Sequence, residues 1–375
     1  MQSVPVIDSN QRPLMPTTLN RAIRWKQSGK ATLFYKKGVL CARLNVEPSA
    51  RLTQPVAVGI DPGSKREGFT VKSASRTYLN VQTHAVDWVK DAEEASTNLR
   101  RARRFRKTPC RKPRFNRKRG GIPPSTRARW QWKLRICNWL TKLFPVTAFV
   151  VEDIKAKTFK NGRKWNVMFS PLEVGKTWFY SELERIAILH TLQGHETAEL
   201  RNQLGLKKSK QKLTGVFEAH CVDSWVLANW YTEGHDKPDN TKLIVIVPLR
   251  FHRRQLHRFQ PSRGGVRSPY GGTMSEGFKR GGIARHPKYG VVYIGGASKG
   301  KVSLHSLQTG KRLTQSAKPT DIKFLSFNSW RLAALSPEGG DPCGICEAAQ
   351  PCRRVSLRRG LNKTVSLRRE LSKKR

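Results

Sequence analysis

The chain has 375 residues, enough for one sizeable core with accessory modules or for two to three domains. Its 72 Lys and Arg stand against 26 Asp and Glu, and the resulting formal charge of +46 opposes compaction unless a polyanion neutralises it. Hydrophobic residues at 37% still allow a core, but no apolar run reaches bilayer length and Met1-Gln2-Ser3-Val4-Pro5 lacks a signal-peptide pattern, so the expectation is a cytoplasmic nucleic-acid binder without a membrane partner.

Residues 1–54 read as a short N-terminal module. Within it Asn10-Gln11-Arg12-Pro13-Leu14-Met15-Pro16 is turn-like, and Thr18 is placed to cap a short basic helix around Ala22-Ile23-Arg24-Trp25. Residues 33–35 and 39–44 predict two strands joined through Lys37-Gly38. From residue 55 the pattern becomes a meander, with strands at 56–61, 68–72 and 78–86 whose short links predict antiparallel neighbours. The first, Val56-Ala57-Val58-Gly59-Ile60-Asp61, carries one carboxylate to a Pro62-Gly63 turn. Asp61 either initiates that turn or holds a charge at a rigid strand end, and the stretch alone leaves both readings open. Residues 87–107 predict a helix, acidic early and basic late. Its basic end runs on through Pro109 and Pro113 to Arg117-Lys118-Arg119 without an acidic residue.

Gly120-Gly121 and Pro123-Pro124 mark a loop, after which Ser125 is placed to cap a helix with Trp132, Ile136, Trp139, Leu140 and Leu143 on one face. Thr147-Ala148-Phe149-Val150-Val151 predicts a core strand that ends in Glu152, followed by Asp153. A further helix is expected from about Trp178 to Leu189, then a polar, lysine-rich stretch over 195–213, a buried helix over 217–228 and a core strand over 242–248. Beyond residue 250, short glycine-punctuated strands at 282–285, 290–294, 301–305 and 322–327 predict a small barrel or sandwich. Residues 336–375 form a basic tail in which Val355-Ser356-Leu357-Arg358-Arg359 recurs as Val365-Ser366-Leu367-Arg368-Arg369, two copies being too few for a solenoid.

Three separate elements thus offer acidic groups: Asp61, Glu152 and Asp223, with His220 three residues before Asp223 and on the same helix face. Carboxylate oxygens suit Mg2+, with Mn2+ as an alternative, and two such ions about 3.5–4 Å apart can activate a water and stabilise the leaving oxygen of a phosphodiester. His220 can ligate a metal or accept a proton from the attacking water. Against this, Glu152 beside Asp153 also reads as a solvated strand end and His220 as a satisfied core histidine, whereas Asp223 on an apolar helix needs a partner.

Val58-Gly59-Ile60-Asp61-Pro62-Gly63, Val151-Glu152-Asp153 and His220-Cys221-Val222-Asp223 resemble the three split segments of a RuvC-type nuclease with the RNase H fold. Pro13-Leu14-Met15-Pro16 resembles the PLMP module, and Arg100-Arg101-Ala102-Arg103-Arg104 the arginine-rich bridge helix, of the transposon-encoded IscB/IsrB proteins. The resemblance implies an α/β architecture: PLMP module (1–54), RuvC segment I (55–94), bridge helix and basic arm (95–124), RuvC segment II with helices (125–213), RuvC segment III (214–250), a β-rich domain for guide-RNA and target-adjacent-motif contacts (251–335) and a basic tail (336–375). Too little sequence separates Glu152 from His220 to hold an inserted HNH nuclease, so the chain resembles the IsrB subgroup. That subgroup implies an RNA-guided, magnesium-dependent nickase of the non-target strand, one chain per omega RNA, acting on double-stranded DNA in a prokaryotic, nucleoid-associated setting. Asp61, Glu152, His220 and Asp223 would be catalytic, and Asp61, Glu152 and Asp223 metal ligands. The competing readings are a guide-independent nuclease for branched DNA and an inactive nucleic-acid scaffold.

The candidate nucleic-acid contacts are Arg100, Arg101, Arg103, Arg104, Arg106, Lys107, Arg111, Arg114, Arg117 and Arg119, since guanidinium groups pair bidentately with phosphate and stack on bases. Phe105 and Phe115 interrupt this run, and core anchoring is favoured over stacking for both. Cys343, Cys346 and Cys352 supply three thiols where a structural zinc normally takes four ligands, which favours free thiols in the tail.

Overall fold

The computed structural model describes residues 3–105, 121–155, 159–160, 163–164, 170–248, 259–260, 265–266, 274–307, 310–327 and 330–332. The N-terminal module is a four-stranded sheet in the order β2-β1-β4-β3, built from β1 (Ser3–Ile7), β2 (Pro13–Thr18), β3 (Ala31–Lys36) and β4 (Val39–Leu44). Helix α1 (Leu19–Gln27) packs on it through Ala22, with the Thr18 side chain accepting from the Arg21 N–H as the sequence predicts. Lys37 and Gly38 both have positive φ, 55° and 94°, which fits the two-residue hairpin turn between β3 and β4. The expected turn at Asn10–Pro16 is shorter than the sequence suggests, because Pro13 to Pro16 belong to β2. That strand lies at the sheet edge, where a proline's missing N–H breaks no ladder.

The central sheet begins with β5 (Val56–Asp61), β6 (Arg66–Ser73) and β7 (Thr77–His84), an antiparallel meander in register Asp61↔Gly68 and Gly68↔Gln82. After α2 (Trp88–Phe105) and α3 (Pro124–Leu140), strand β8 (Ala148–Asp153) returns parallel to β5, with Ile60 opposite Val151. A short hairpin, β9 (Phe159–Lys160) and β10 (Arg163–Lys164), precedes α4 (Pro171–Glu184). Strand β11 (Ile188–Gln193) then adds parallel to β8, and α5 (Gly194–Gln203) and α6 (Phe217–Thr232) follow. Strand β12 (Leu243–Pro248) runs parallel to β7.

Two sequence expectations are corrected here. The helix expected to reach Leu189 stops at Glu184, and Ile188–Gln193 is a strand with its backbone paired to β8. Ser125 lies inside α3: Pro123 is the cap residue and Pro124, whose fixed φ suits the first helical turn, starts the helix. About half of the polar, lysine-rich stretch is helical, as α5.

The two faces of the sheet differ in what covers them. Val56, Val58 and Ile60 share one core with Trp132, Ile136, Trp139 and Leu140 of α3 and Phe179 and Leu183 of α4. By the period of two, Ala57, Gly59 and Asp61 face the other way, towards α6. Helix α6 is buried over most of its length, and it lies almost backbone to backbone on β5 and β6. A Cβ at Gly59 would come within 1.8 Å of the Ser224 carbonyl oxygen, and one at Gly68 within 2.5 Å of the His220 carbonyl oxygen. Glycine is therefore required at both positions, and it sets how deeply α6 seats. Two polar pairs join α6 to the sheet: Thr70 Oγ1 lies 2.8 Å from Ser224 Oγ, and Trp225 Nε1 donates to Thr77 Oγ1 at 2.9 Å. The buried Lys72 ammonium bonds the carbonyl of Glu233 at the C-terminal end of α6, where a cation complements the helix dipole.

Beyond β12, two short hairpins, β13 (Phe259–Gln260) with β14 (Gly265–Val266) and β15 (Met274–Ser275) with β16 (Phe278–Lys279), lead to a five-stranded antiparallel sheet. Its strands are β17 (Ile283–His286), β18 (Gly290–Ser298), β19 (Lys301–Ser306), β20 (Arg312–Ala317) and β21 (Lys323–Ser326) in the order β20-β19-β18-β17-β21. The chain then returns to the central sheet: β22 (Trp330–Leu332) pairs antiparallel with β12 and closes the order β11-β8-β5-β6-β7-β12-β22. Trp330 is fully buried there, edge-on to Trp132 and Trp139 at 5.6 and 5.4 Å, with the Lys37 ammonium 4.0 Å above its ring. One indole thus joins the β3–β4 hairpin, α3 and β22.

Candidate active site

Asp61 closes β5, and its parallel neighbour β8 places Glu152 one residue beyond the Ile60↔Val151 pair, so both side chains leave the sheet at the same level and on the α6 face. Asp223 reaches them from α6, one turn after His220. Asp61, Glu152 and Asp223 each bring a carboxylate oxygen within 4.8 Å of the other two. Asp153, next to Glu152, points to the opposite face and is taken up by α4. Lys176 Nζ lies 2.7 Å from its Oδ1, Tyr180 donates to that oxygen at 3.1 Å, and Gln193 Nε2 donates to Oδ2 at 3.1 Å. The pleat alone separates a carboxylate available for chemistry from one that ties a helix to the sheet. Glu67 is likewise on the far face, buried and 2.6 Å from Lys133.

His220 bonds Asp61, its Nδ1 2.9 Å from Oδ2, while Nε2 lies 3.0 Å from the Lys212 carbonyl oxygen and donates to it. Both ring nitrogens are therefore engaged, one of them with Asp61. Two cations that the sequence did not single out complete the cluster. Arg201 of α5 donates to Asp223 Oδ1 at 2.7 Å, and Lys208 bonds Asp223 Oδ2 and lies 3.7 Å from Asp61 Oδ2. Nothing local marks either residue, since Lys208 sits among Lys207, Lys210 and Lys212. Gly194 is also part of the site: a Cβ there would stand 2.9 Å from Glu152 Oε1, so the first residue of α5 leaves room for that carboxylate.

The environments drive the carboxylates apart. Burial pushes Asp61 up, but the His220 hydrogen bond and the Lys208 charge outweigh it and hold Asp61 below the usual carboxylate range. Burial, followed by repulsion from Asp61, pushes Glu152 up to about 7. A carboxyl raised on folding contributes stability that is present below its unfolded value, near 4.5, and lost as pH rises through 7. A divalent cation needs the ionised form and reverses that loss. Mn2+ should accordingly raise the thermal midpoint of the protein clearly at pH near 8 and little at pH near 5.5, and Glu152→Gln should flatten this difference. A metal-induced shift of equal size at both pH values would contradict the placement of Glu152 in a metal-binding set.

Of the candidate nucleic-acid contacts, Arg100 and Arg101 are exposed on α2, and Arg103 and Arg104 lie in the same helix. Arg106, Lys107, Arg111, Arg114, Arg117 and Arg119 fall outside the described residues, as do Phe115, Cys343, Cys346, Cys352 and the basic tail. Phe105, expected to anchor in the core, is instead 88% exposed. Helix α2 packs on the core through Trp88 and Val89 at its start. Among the described residues no helix is long and apolar enough to cross a membrane.

Residues 4–165 match the family model described as RRXRR protein, a span that runs from β1 past β8 and includes Arg100-Arg101-Ala102-Arg103-Arg104. Among solved structures the chain is similar to T. thermophilus RuvC in complex with Holliday junction substrate, at 13% identity and a TM-score of 0.27, over 48% of this chain and 98% of that one. A likeness of that size says nothing about the site. No curated protein sequence matches the chain.

Proposed function

We propose that the chain is a metal-dependent DNA nuclease of the IsrB type, guided by RNA and nicking one strand of its target. The observation that carries this reading is the convergence of Asp61, Glu152 and Asp223 from two strand ends and a helix to within 4.8 Å. Three carboxylates so close repel one another and are tolerated where cations offset them, and an all-oxygen donor set suits Mg2+ or Mn2+. A divalent ion held there would supply an activated water and charge stabilisation at the leaving oxygen of a phosphodiester. The protein's own share is to hold the three oxygens on rigid elements, to fix Asp61 through His220 and to fix Asp223 through Arg201.

The sheet supports an RNase H-like core. Its strands β7-β6-β5-β8-β11 combine an antiparallel meander with two parallel additions, and the carboxylates stand at the adjacent ends of β5 and β8. The described residues between Glu152 and His220 hold a short hairpin, α4, β11 and α5, which agrees with a chain lacking an inserted HNH nuclease. The formal charge of +46 and the exposed arginines of α2 support a polyphosphate partner, with sequence read by guide pairing rather than by the protein.

Full-length protein with a bound guide RNA, Mg2+ and a supercoiled target plasmid should give open circles. Cleavage of branched DNA by RNA-free protein would mark a guide-independent nuclease instead, and metal-independent binding without cleavage would mark a scaffold. Binding itself should weaken linearly in a plot of log affinity against log salt, and an affinity indifferent to salt would undo the account of the basic surface.

A further inference from the structure

Resting on the metal-dependent reading above, we infer that Lys208 is a built-in counter-ion of the carboxylate site, which a divalent cation must displace in order to bind. The ammonium bonds Asp223 Oδ2 and stands 3.7 Å from Asp61 Oδ2, so it occupies the space between two of the three prospective ligands. An ion ligated by Asp61, Glu152 and Asp223 needs oxygens that Lys208 now neutralises, and two cations cannot share that space.

Arg201 does not stand in the way in the same manner. It approaches Asp223 through the other oxygen, Oδ1, from the regular helix α5, and so holds the carboxylate in place with Oδ2 left to a second partner. Lys208 instead projects from the link between α5 and α6, and its side chain keeps 24% of its surface in solvent. The backbone of that link is tied down on both sides, by Leu206 N–H donating to the Arg201 carbonyl at 3.0 Å and Ser209 N–H to the Glu218 carbonyl at 2.8 Å. Displacement therefore needs only rotation of a flexible four-carbon stem towards water, with no change of fold.

This arrangement has a consequence for substrate. A freed ammonium beside the carboxylates is strongly hydrated and seeks an anion, and a nucleic-acid phosphate entering the site supplies one. Metal uptake and phosphate binding then favour each other by the same factor, as linkage requires. The metal-free protein keeps its carboxylates compensated, and the site loads most readily when a strand is present.

The test measures Mn2+ binding by calorimetry on the full chain freed of nucleic acid. Lys208→Gln, and Lys208→Met as a second neutral variant should the first fail to fold, are expected to bind Mn2+ about tenfold or more tightly than wild type, since one competing unit charge is gone. Lys208→Arg keeps the charge and should stay near wild type. A short oligodeoxynucleotide should tighten Mn2+ binding in wild type by a larger factor than in the neutral variants. Equal or weaker Mn2+ affinity in the neutral variants overturns the inference while leaving the nuclease reading intact. Absence of Mn2+ binding in wild type and neutral variants alike overturns both.

Discussion

Asp61→Asn should slow DNA cleavage by about a hundred- to a thousandfold, the scale on which a preorganised charge-stabilising group is lost. The substitution is nearly isosteric, so the packing around a residue only 5% exposed is kept while the charge is removed. Three interactions converge on this carboxylate: the His220 hydrogen bond, the Lys208 charge and the oxygen contributed to the three-carboxylate cluster. Asn retains a bond to His220 but is a poor ligand for a hard cation, so on the proposed function the rate should fall while nucleic-acid affinity, which does not run through Asp61, should be kept. The measurement is a nicking rate alongside nucleic-acid affinity. Asp153→Asn is the matched control, because Asp153 faces α4 and Lys176 on the far side of the sheet. That variant should lose stability rather than rate. Wild-type nicking by Asp61→Asn would remove Asp61 from catalysis, and with it the reason for placing the site at this strand end.

The strands that hold the site are legible because β-branched apolar runs announce them, as in Val56–Ile60 and Phe149–Val151. The strand pattern by itself does not say which neighbouring carboxylate faces α6, and the choice of Glu152 rests on the family resemblance. Glu152 and Asp153 are equivalent until the register with β5 is known, since a shift of one residue exchanges the two faces. Helix α5 carries little local sign, because Thr197 is its buried contact and its cap is Gln193, paired with Glu196 in a capping box where a serine or threonine is the usual sign. Strand β11 was hidden by the apolar residues that continue from α4 into it without a glycine or proline between, so helix and strand run together on the page. Arg201 and Lys208 are placed by tertiary packing of α5 and its following link against α6, and no local pattern encodes that. The same holds for Trp330, whose partners Trp132 and Trp139 lie in another element far back in the chain.

Gly59→Ala should damage both the fold and the site, because the added methyl has nowhere to go. Its Cβ would fall 1.8 Å from the Ser224 carbonyl oxygen and 2.8 Å from the Ala228 nitrogen, both backbone atoms of α6. Side chains can rotate out of such a clash, whereas a helix backbone moves only as a body. Helix α6 must therefore lift away from β5, and the Thr70–Ser224 and Trp225–Thr77 hydrogen bonds lengthen with it. Overpacking of a filled interface costs roughly 1–3 kcal/mol, and this contact, being backbone on backbone, belongs at the upper end or beyond. The same movement carries His220 and Asp223 away from Asp61 and Glu152. A displacement of about 1 Å at a reacting centre can cost about a hundredfold in rate, so nicking should fall even at temperatures where the variant is folded. A thermal midpoint and a nicking rate measured on one preparation separate the two effects. If Gly59→Ala keeps both at wild-type level, α6 does not lie against β5 as closely as described, and the convergence of the three carboxylates loses its structural basis.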